Sequence, residues 1–250
     1  MIDKSYPVTK LANFRDLGGI QLGAGELSAN TLFRSDDLST IDEAEANRVA
    51  EHGIRLIVDF RSKSEAEAIG RGPLGDHPIE YLNLPLLDFT KDDHNLGQQI
   101  EQVSFTNQML GAWYAKVFVN AAPMIVEGLQ AIAEAQGPAV FHCAIGKDRT
   151  GIFAASVLTL MGATREEVVR DFTLTEERLP QILARLSVSQ PFWSEDVIVK
   201  SGALVRAEAE AMHAMFDNLS ASGLTVTEVL EGAGANQELV NKLVSKHLAQ

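Results

Sequence analysis

The sequence predicts an α/β fold: a central, mostly parallel β-sheet flanked by helices, with a helical C-terminal cover and a lid. Three observations carry that prediction. Short apolar runs alternate with helical patterns through the first 142 residues. The run IRLIVDF (54–60) is nearly continuous in its apolar character, as a strand covered on both faces requires. From residue 149 onward the pattern is almost wholly helical.

Taken in order, residues 32–34 form a strand. Ser39 or Thr40 caps a helix over 41–51, which Gly53 ends, and 54–60 is the buried strand. A further strand fits 81–84. The stretch 88–118, with Lys91, Asp92, Asp93 and His94 near its start, is the candidate lid. Asn120 caps a helix through APMIVEGLQAIAEA to Gly137, which delivers the chain to a strand at 139–142. Helices follow at 150–161, 164–186 and 201–219, and a last pair ends in NQELVNKLVSKHL. One domain over 1–250, with its helical part at 164–250, accommodates this order.

Composition narrows the function classes. A chain of 250 residues that is 46% hydrophobic can bury a substantial core. The formal net charge of −13 argues against nucleic acid or an anionic membrane as partner, because both reward clustered Lys and Arg. The lone Cys143 excludes an internal disulfide, a multi-cysteine metal site and a paired redox motif. No metal and no cofactor are expected. No signal-like pattern follows Met1, and the longest apolar run, 152–163, falls short of the ~20 residues of a spanning helix. A soluble, cytoplasmic chain without stable membrane association is the expectation, and export by a route needing no N-terminal signal is compatible with it.

The segment VFHCAIGKDRTG (140–151) carries the chemistry. Between a strand and a helix it forms a turn whose backbone N–H groups converge at the positive helix end, a geometry that binds phosphate. Cys143 at the start of that turn is surrounded by amide dipoles, Lys147 and Arg149, a setting that favours the thiolate. Five residues separate Cys143 from Arg149, so the loop wraps one tetrahedral anion and returns a guanidinium to chelate two of its oxygens. Gly146 relieves crowding or takes a positive φ. Other readings fit less well. A nucleotide P-loop needs a glycine where Phe141 stands and a Ser or Thr where Asp148 stands. Thiol-cycling arsenate reductases need further cysteines. Alone, Cys143 would read as an inert small hydrophobe; its neighbours argue otherwise.

HCAIGKDRTG resembles the signature of cysteine-dependent phosphatases, specifically the bacterial PtpB-type atypical tyrosine and dual-specificity phosphatases, in which Lys and Asp directly precede the arginine. NFRDLGG (13–19), LFRSDDL (32–38), DFRS (59–62) and the helical run from Ser201 agree in order, so the resemblance covers nearly the whole chain. It implies the cysteine-dependent phosphatase fold and hydrolysis of phosphotyrosine, with phosphoserine, phosphothreonine and phosphoinositides as further substrates. A phosphate-binding module without catalysis is the alternative.

In this reading Cys143 attacks phosphorus, and Arg149 with the amides of Ala144, Ile145, Gly146, Lys147, Asp148 and Arg149 holds the equatorial oxygens. The leaving group needs a carboxylic acid. Asp148, inside the loop between two cations, ranks first; Asp59, at the carboxyl edge of a buried strand, ranks second; Asp88 ranks third. His142 points away from the pocket and reads either as a brace behind the loop or as a satisfied core histidine, and Thr150 either offers a hydroxyl to the departing thiolate or is a first-turn residue of the helix. Arg15, Asp16, Arg34 and Arg61 read as a buried ion-pair network framing the pocket floor. Lys147 adds a second cation beside Arg149, which would suit a multiply phosphorylated inositol ring.

Overall fold

The computed structural model describes residues 10–87, 105–189 and 202–249. A five-stranded sheet runs in the order β1 (Arg15–Asp16), β4 (Leu32–Ser35), β7 (Ala139–His142), β5 (Leu56–Asp59), β6 (Glu80–Asn83). β4, β7, β5 and β6 are mutually parallel, and β1 is an antiparallel edge. β2 (Gln21–Leu22) and β3 (Gly25–Glu26) form a separate hairpin. The expected α/β architecture with a mostly parallel sheet is what the chain adopts.

Strand parity divides the core. Leu56, Val58, Ala139 and Phe141 face one apolar cluster with Cys143, whereas Ile57 and Val140 face a second cluster with Phe14, Phe33 and Val49. Helix α1 (Glu43–Glu51) covers the second face through Ala46 and Val49. Helices α3 (Asn107–Glu134) and α4 (Asp148–Leu160) cover the first. Between them, α2 (Lys63–Ile69) follows β5 directly. The C-terminal cover consists of α5 (Arg165–Thr173), α6 (Leu179–Ser189), α7 (Ala209–Ala221), α8 (Val226–Gly232) and α9 (Gln237–His247).

Several expectations need correction. Helix α1 is capped by Asp42, whose side chain accepts from the Glu45 N–H, while Asp37 caps the short 3-10 turn Leu38–Thr40 ahead of it. The helix expected from Asn120 begins at Asn107, capped by the Thr106 side chain, and runs 28 residues with Pro123 inside it. Proline removes one intrahelical donor there; the carbonyl that loses it belongs to Val119, which is 41% exposed, so water can serve it. Residues 107–118, expected within a lid, are therefore the first turns of a core helix with Leu110, Tyr114, Val117 and Phe118 buried. Of the rest of that expected lid, residues 88–104 lie outside the described residues. The continuous helix expected over 164–186 is broken at Glu176–Arg178, and that over 201–219 is a 3-10 turn, Gly202–Val205, followed by α7. By length and composition α3 could cross a membrane, at mean hydropathy 1.3 over its most apolar window, although polar residues interrupt its apolar runs. In this fold most of its apolar residues lie in the core, with Met109 and Val119 exposed.

Candidate active site

Strand β7 ends at His142, and its parity turns the Cys143 side chain to the face opposite His142. The chain then loops tightly into α4, whose first residue is Asp148. Cys143 is buried, and its sulfur accepts the Gly146 N–H at 3.2 Å. Gly146 has φ +73, and a Cβ there would lie 2.7 Å from the Asp36 amide nitrogen, so neither the backbone conformation nor the space admits a side chain. The loop is tied from outside by carbonyl contacts. Asp37 N–H donates to the Ala144 carbonyl at 3.2 Å. Asn13 Nδ2 donates to the carbonyls of Ile145 (3.3 Å) and Gly146 (2.9 Å), and Arg34 Nη2 to that of Gly146 (2.7 Å).

Arg149, one residue into α4, is almost fully buried, and its two terminal nitrogens fork onto the Glu65 carboxylate at 2.6 and 3.1 Å. Glu65 also accepts the Ser62 N–H at 2.7 Å, closing the capping box of α2. Burial opposes the charge on Arg149, but the Cys143 sulfur and Glu65 outweigh it and hold the guanidinium protonated. Burial likewise opposes ionisation of Glu65; Arg149 and the Ser62 N–H prevail and hold it below the usual carboxylate range.

Asp148 is partly exposed, and its Oδ1 accepts the Tyr114 hydroxyl at 2.5 Å and faces Lys147 Nζ at 3.1 Å. The Lys147 ammonium does not stand beside Arg149 as a second phosphate cation. It is fully buried and donates to the carbonyls of Leu204 (2.6 Å), Arg206 (3.1 Å) and Ala203 (3.4 Å). Three carbonyls at the end of a turn solvate an ammonium well, and that attraction turns the side chain away from the loop.

Asp59 is the second correction. It is wholly buried, and Arg61 contacts both its oxygens, at 2.7 Å in the closest case, while Tyr81 donates to Oδ2 at 2.7 Å. Burial alone would raise its pKa, yet the His142 ring at 3.7 Å and the Arg61 guanidinium hold it far below the usual range. A carboxylate so locked has no proton to give near neutral pH. Asp59 instead anchors the back of the site, where His142 Nδ1 lies 3.3 Å from the Cys143 carbonyl oxygen. Thr150 is buried with its hydroxyl lacking a hydrogen-bond partner among the described residues. Asp88 lies outside those residues.

The chain matches the tyrosine phosphatase family over residues 6–249. It belongs to that family. It is 27% identical over 266 aligned positions to the triple specificity protein phosphatase PtpB of Mycobacterium tuberculosis, covering 92% of this chain and 94% of that one. A tyrosine-protein phosphatase of Nostoc commune is 29% identical, over 62% of this chain and 52% of its own length. Among solved structures, TpbA of P. aeruginosa in complex with pTyr aligns with TM-score 0.44 and 14% identity, covering 93% and 95% of the two chains. The resemblance read from HCAIGKDRTG is thus upheld, and the chain is a protein tyrosine phosphatase.

The phosphatase site also contains residues that sequence reading passed over. Glu65 lies in an ordinary capping pattern, SKSE, which gives no sign that its carboxylate also meets Arg149. Tyr114 sits in the middle of an apolar helical face, and Asp171 in an amphipathic helix. The expected arginine network is present: Arg15 and Arg34 both pair with Asp171, at 3.1 and 2.5 Å, and Arg61 with Asp59 and Asp37. Asp16 instead caps the neighbouring turn, accepting from Gly18 and Asn30 N–H groups.

Proposed function

We propose that the chain hydrolyses phosphomonoesters through a cysteinyl phosphate at Cys143. The thiolate attacks phosphorus in line and the P–O bond to the leaving group breaks. Asp148 gives that oxygen its proton and afterwards takes one from the water that releases phosphate and regenerates the thiolate. Arg149, oriented by Glu65, and the amides of residues 144–149 stabilise the charge that builds on the equatorial oxygens. Thr150 offers its hydroxyl to the departing sulfur, and His142 braces the Cys143 carbonyl from behind. The single observation that carries this reading is the Cys143 sulfur under the Gly146 N–H at 3.2 Å, in a loop that leads straight into a helix whose second residue is Arg149.

The proposed substrates are phosphotyrosine together with phosphoserine and phosphothreonine; the mycobacterial relative's name, a triple specificity phosphatase, supports a range wider than tyrosine. Phosphoinositides extend that proposal by resemblance alone, since Lys147 lends them no support. Cys143→Ser tests the mechanism. Turnover of p-nitrophenyl phosphate without added metal should fall at least ~1,000-fold while orthovanadate still binds, because a serine alkoxide is far harder to form than a thiolate. A serine variant with more than a small fraction of wild-type activity would rule out the covalent route.

A further inference from the structure

Each peptide unit carries its carbonyl and its N–H on opposite sides, so fixing one fixes the other. The Ile145 and Gly146 carbonyls are both held on the outside of the active-site loop, the first by Asn13 and the second by Asn13 and Arg34. Their partner N–H groups, those of Gly146 and Lys147, are thereby directed inward, and the Gly146 N–H indeed meets the Cys143 sulfur. Within the loop itself, the Gly146 N–H contact with the Cys143 sulfur is a single weak bond to sulfur. Glycine tolerates φ of either sign, so the peptide between Ile145 and Gly146 can reverse at little steric cost, and reversal would present a carbonyl to the anion in place of a donor.

The two clamping side chains share one support. Asp171 Oδ2 accepts from Arg34 Nη1 at 2.5 Å, and its Oδ1 accepts from Arg15 Nε at 3.1 Å. Arg15 in turn donates to Asn13 Oδ1, which also accepts the Thr175 hydroxyl at 3.4 Å. With Oδ1 engaged by donors, the Asn13 amide can only present Nδ2 to the loop. All four of Asn13, Arg15, Arg34 and Asp171 are buried. We propose that Asn13 and Arg34, oriented through the shared carboxylate of Asp171, are positioning residues that hold the loop amides toward the phosphate before substrate arrives. The inference rests on the phosphatase chemistry proposed above and assigns to the NFRD segment a task in it: donors preset toward the developing charge need no reorganisation during the reaction.

Asn13→Ala and Arg34→Lys test it, each removing a clamp while keeping Cys143, Asp148 and Arg149. Loss of one preset donor in such sites costs ~100-fold or more in kcat. In folded variants, kcat for p-nitrophenyl phosphate should fall about 100-fold and orthovanadate inhibition weaken by a similar factor, while KM changes less than about threefold. A purely structural role would lower thermal stability and leave kcat per folded molecule and vanadate inhibition as in the wild type, and that result overturns the proposal. If neither variant folds, the wild-type vanadate complex decides: the Gly146 and Lys147 amides should donate to vanadate while both carbonyls stay on Asn13 and Arg34. A loop carbonyl turned toward vanadate refutes it. Retained turnover in Cys143→Ser would instead remove the parent mechanism, an outcome separate from any of these.

Discussion

Tyr114 and Lys147 converge on one oxygen of Asp148, so in the proposed mechanism Oδ2 is the oxygen that carries the proton. A phenolate leaves readily, whereas a serine or inositol alkoxide does not, so losing the acid costs most where the leaving group is poorest. Asp148→Asn should therefore lower kcat about 100-fold or more on phosphoserine and much less on p-nitrophenyl phosphate. Tyr114→Phe, which removes the hydrogen bond that orients the carboxyl, should show the same asymmetry at about a tenth of that size; equal losses on both esters would take the acid role from Asp148. Lys147 makes a different prediction. In Lys147→Met three carbonyls, one of them buried, lose an ionic donor, and stability should drop by about 1–3 kcal/mol in chemical denaturation. Any residual activity should fall equally on phosphotyrosine and on a phosphorylated inositol. A selective loss on the inositol substrate with stability intact would restore Lys147 as a substrate cation. The motif itself was readable from sequence because Cys143, Gly146 and Arg149 are adjacent and their chemistry is local. The destination of Lys147 was not, because the three carbonyls that hold it lie more than fifty residues away and are backbone atoms, which no residue type announces.

At the level of elements, the central parallel strands β5 and β7 are readable because each is a short apolar run ended by a polar residue, and the strand at 139–142 agrees to the residue with β7. Helix α3 was misread at its start. Pro123 mimics a first-turn proline, and the actual cap, Thr106, is followed by a first turn without the acidic residue that usually marks a helix start. What makes α3 continuous is a tertiary partner. It packs along α7 so closely that a Cβ on Gly111 would fall 2.6 Å from the Ala211 carbonyl oxygen and would overlap the Ala214 methyl. Alanine is the better helix former by about 1 kcal/mol, so in an isolated helix Gly111→Ala would stabilise. Here the helices must part, and the expected outcome is a loss of about 1–3 kcal/mol, read as a lower denaturation midpoint at unchanged m-value. Because Tyr114 lies one turn beyond Gly111, the same variant should also reduce kcat. A stabilised variant would mean that α3 and α7 can separate freely.

Across the whole molecule the C-terminal end of the described chain closes on the segment Glu26–Ser28. Ser28 N–H donates to the His247 carbonyl at 2.7 Å, and Ala249 N–H to that of Glu26 at 2.8 Å, so α9 is sealed against the β2–β3 hairpin. The His247 ring at this seam is fully buried, and neither ring nitrogen has a hydrogen-bond partner among the described residues. Burial first, and the adjacent Lys246 ammonium second, push its pKa down to about 4 from an ordinary 6.5. The folded state thus keeps the ring neutral where the unfolded chain takes up a proton. Its stabilising contribution is complete above pH 6.5 and declines as the pH falls toward 4, below which both states are protonated and the loss levels off. Between about pH 7.5 and about pH 4.5 this single group should cost the fold about 2 kcal/mol. Asp59, Asp171 and Glu65, all held below the carboxylate range by cationic partners, change stability in the same direction but at lower pH. They are common to the wild type and to His247→Leu, so the difference between the two isolates His247. The leucine variant should lose less stability on acidification by about that amount, measured as denaturant midpoints at the two pH values. Parallel pH dependences in the two proteins would show that the seam admits water and that the ring titrates as it does in the unfolded chain.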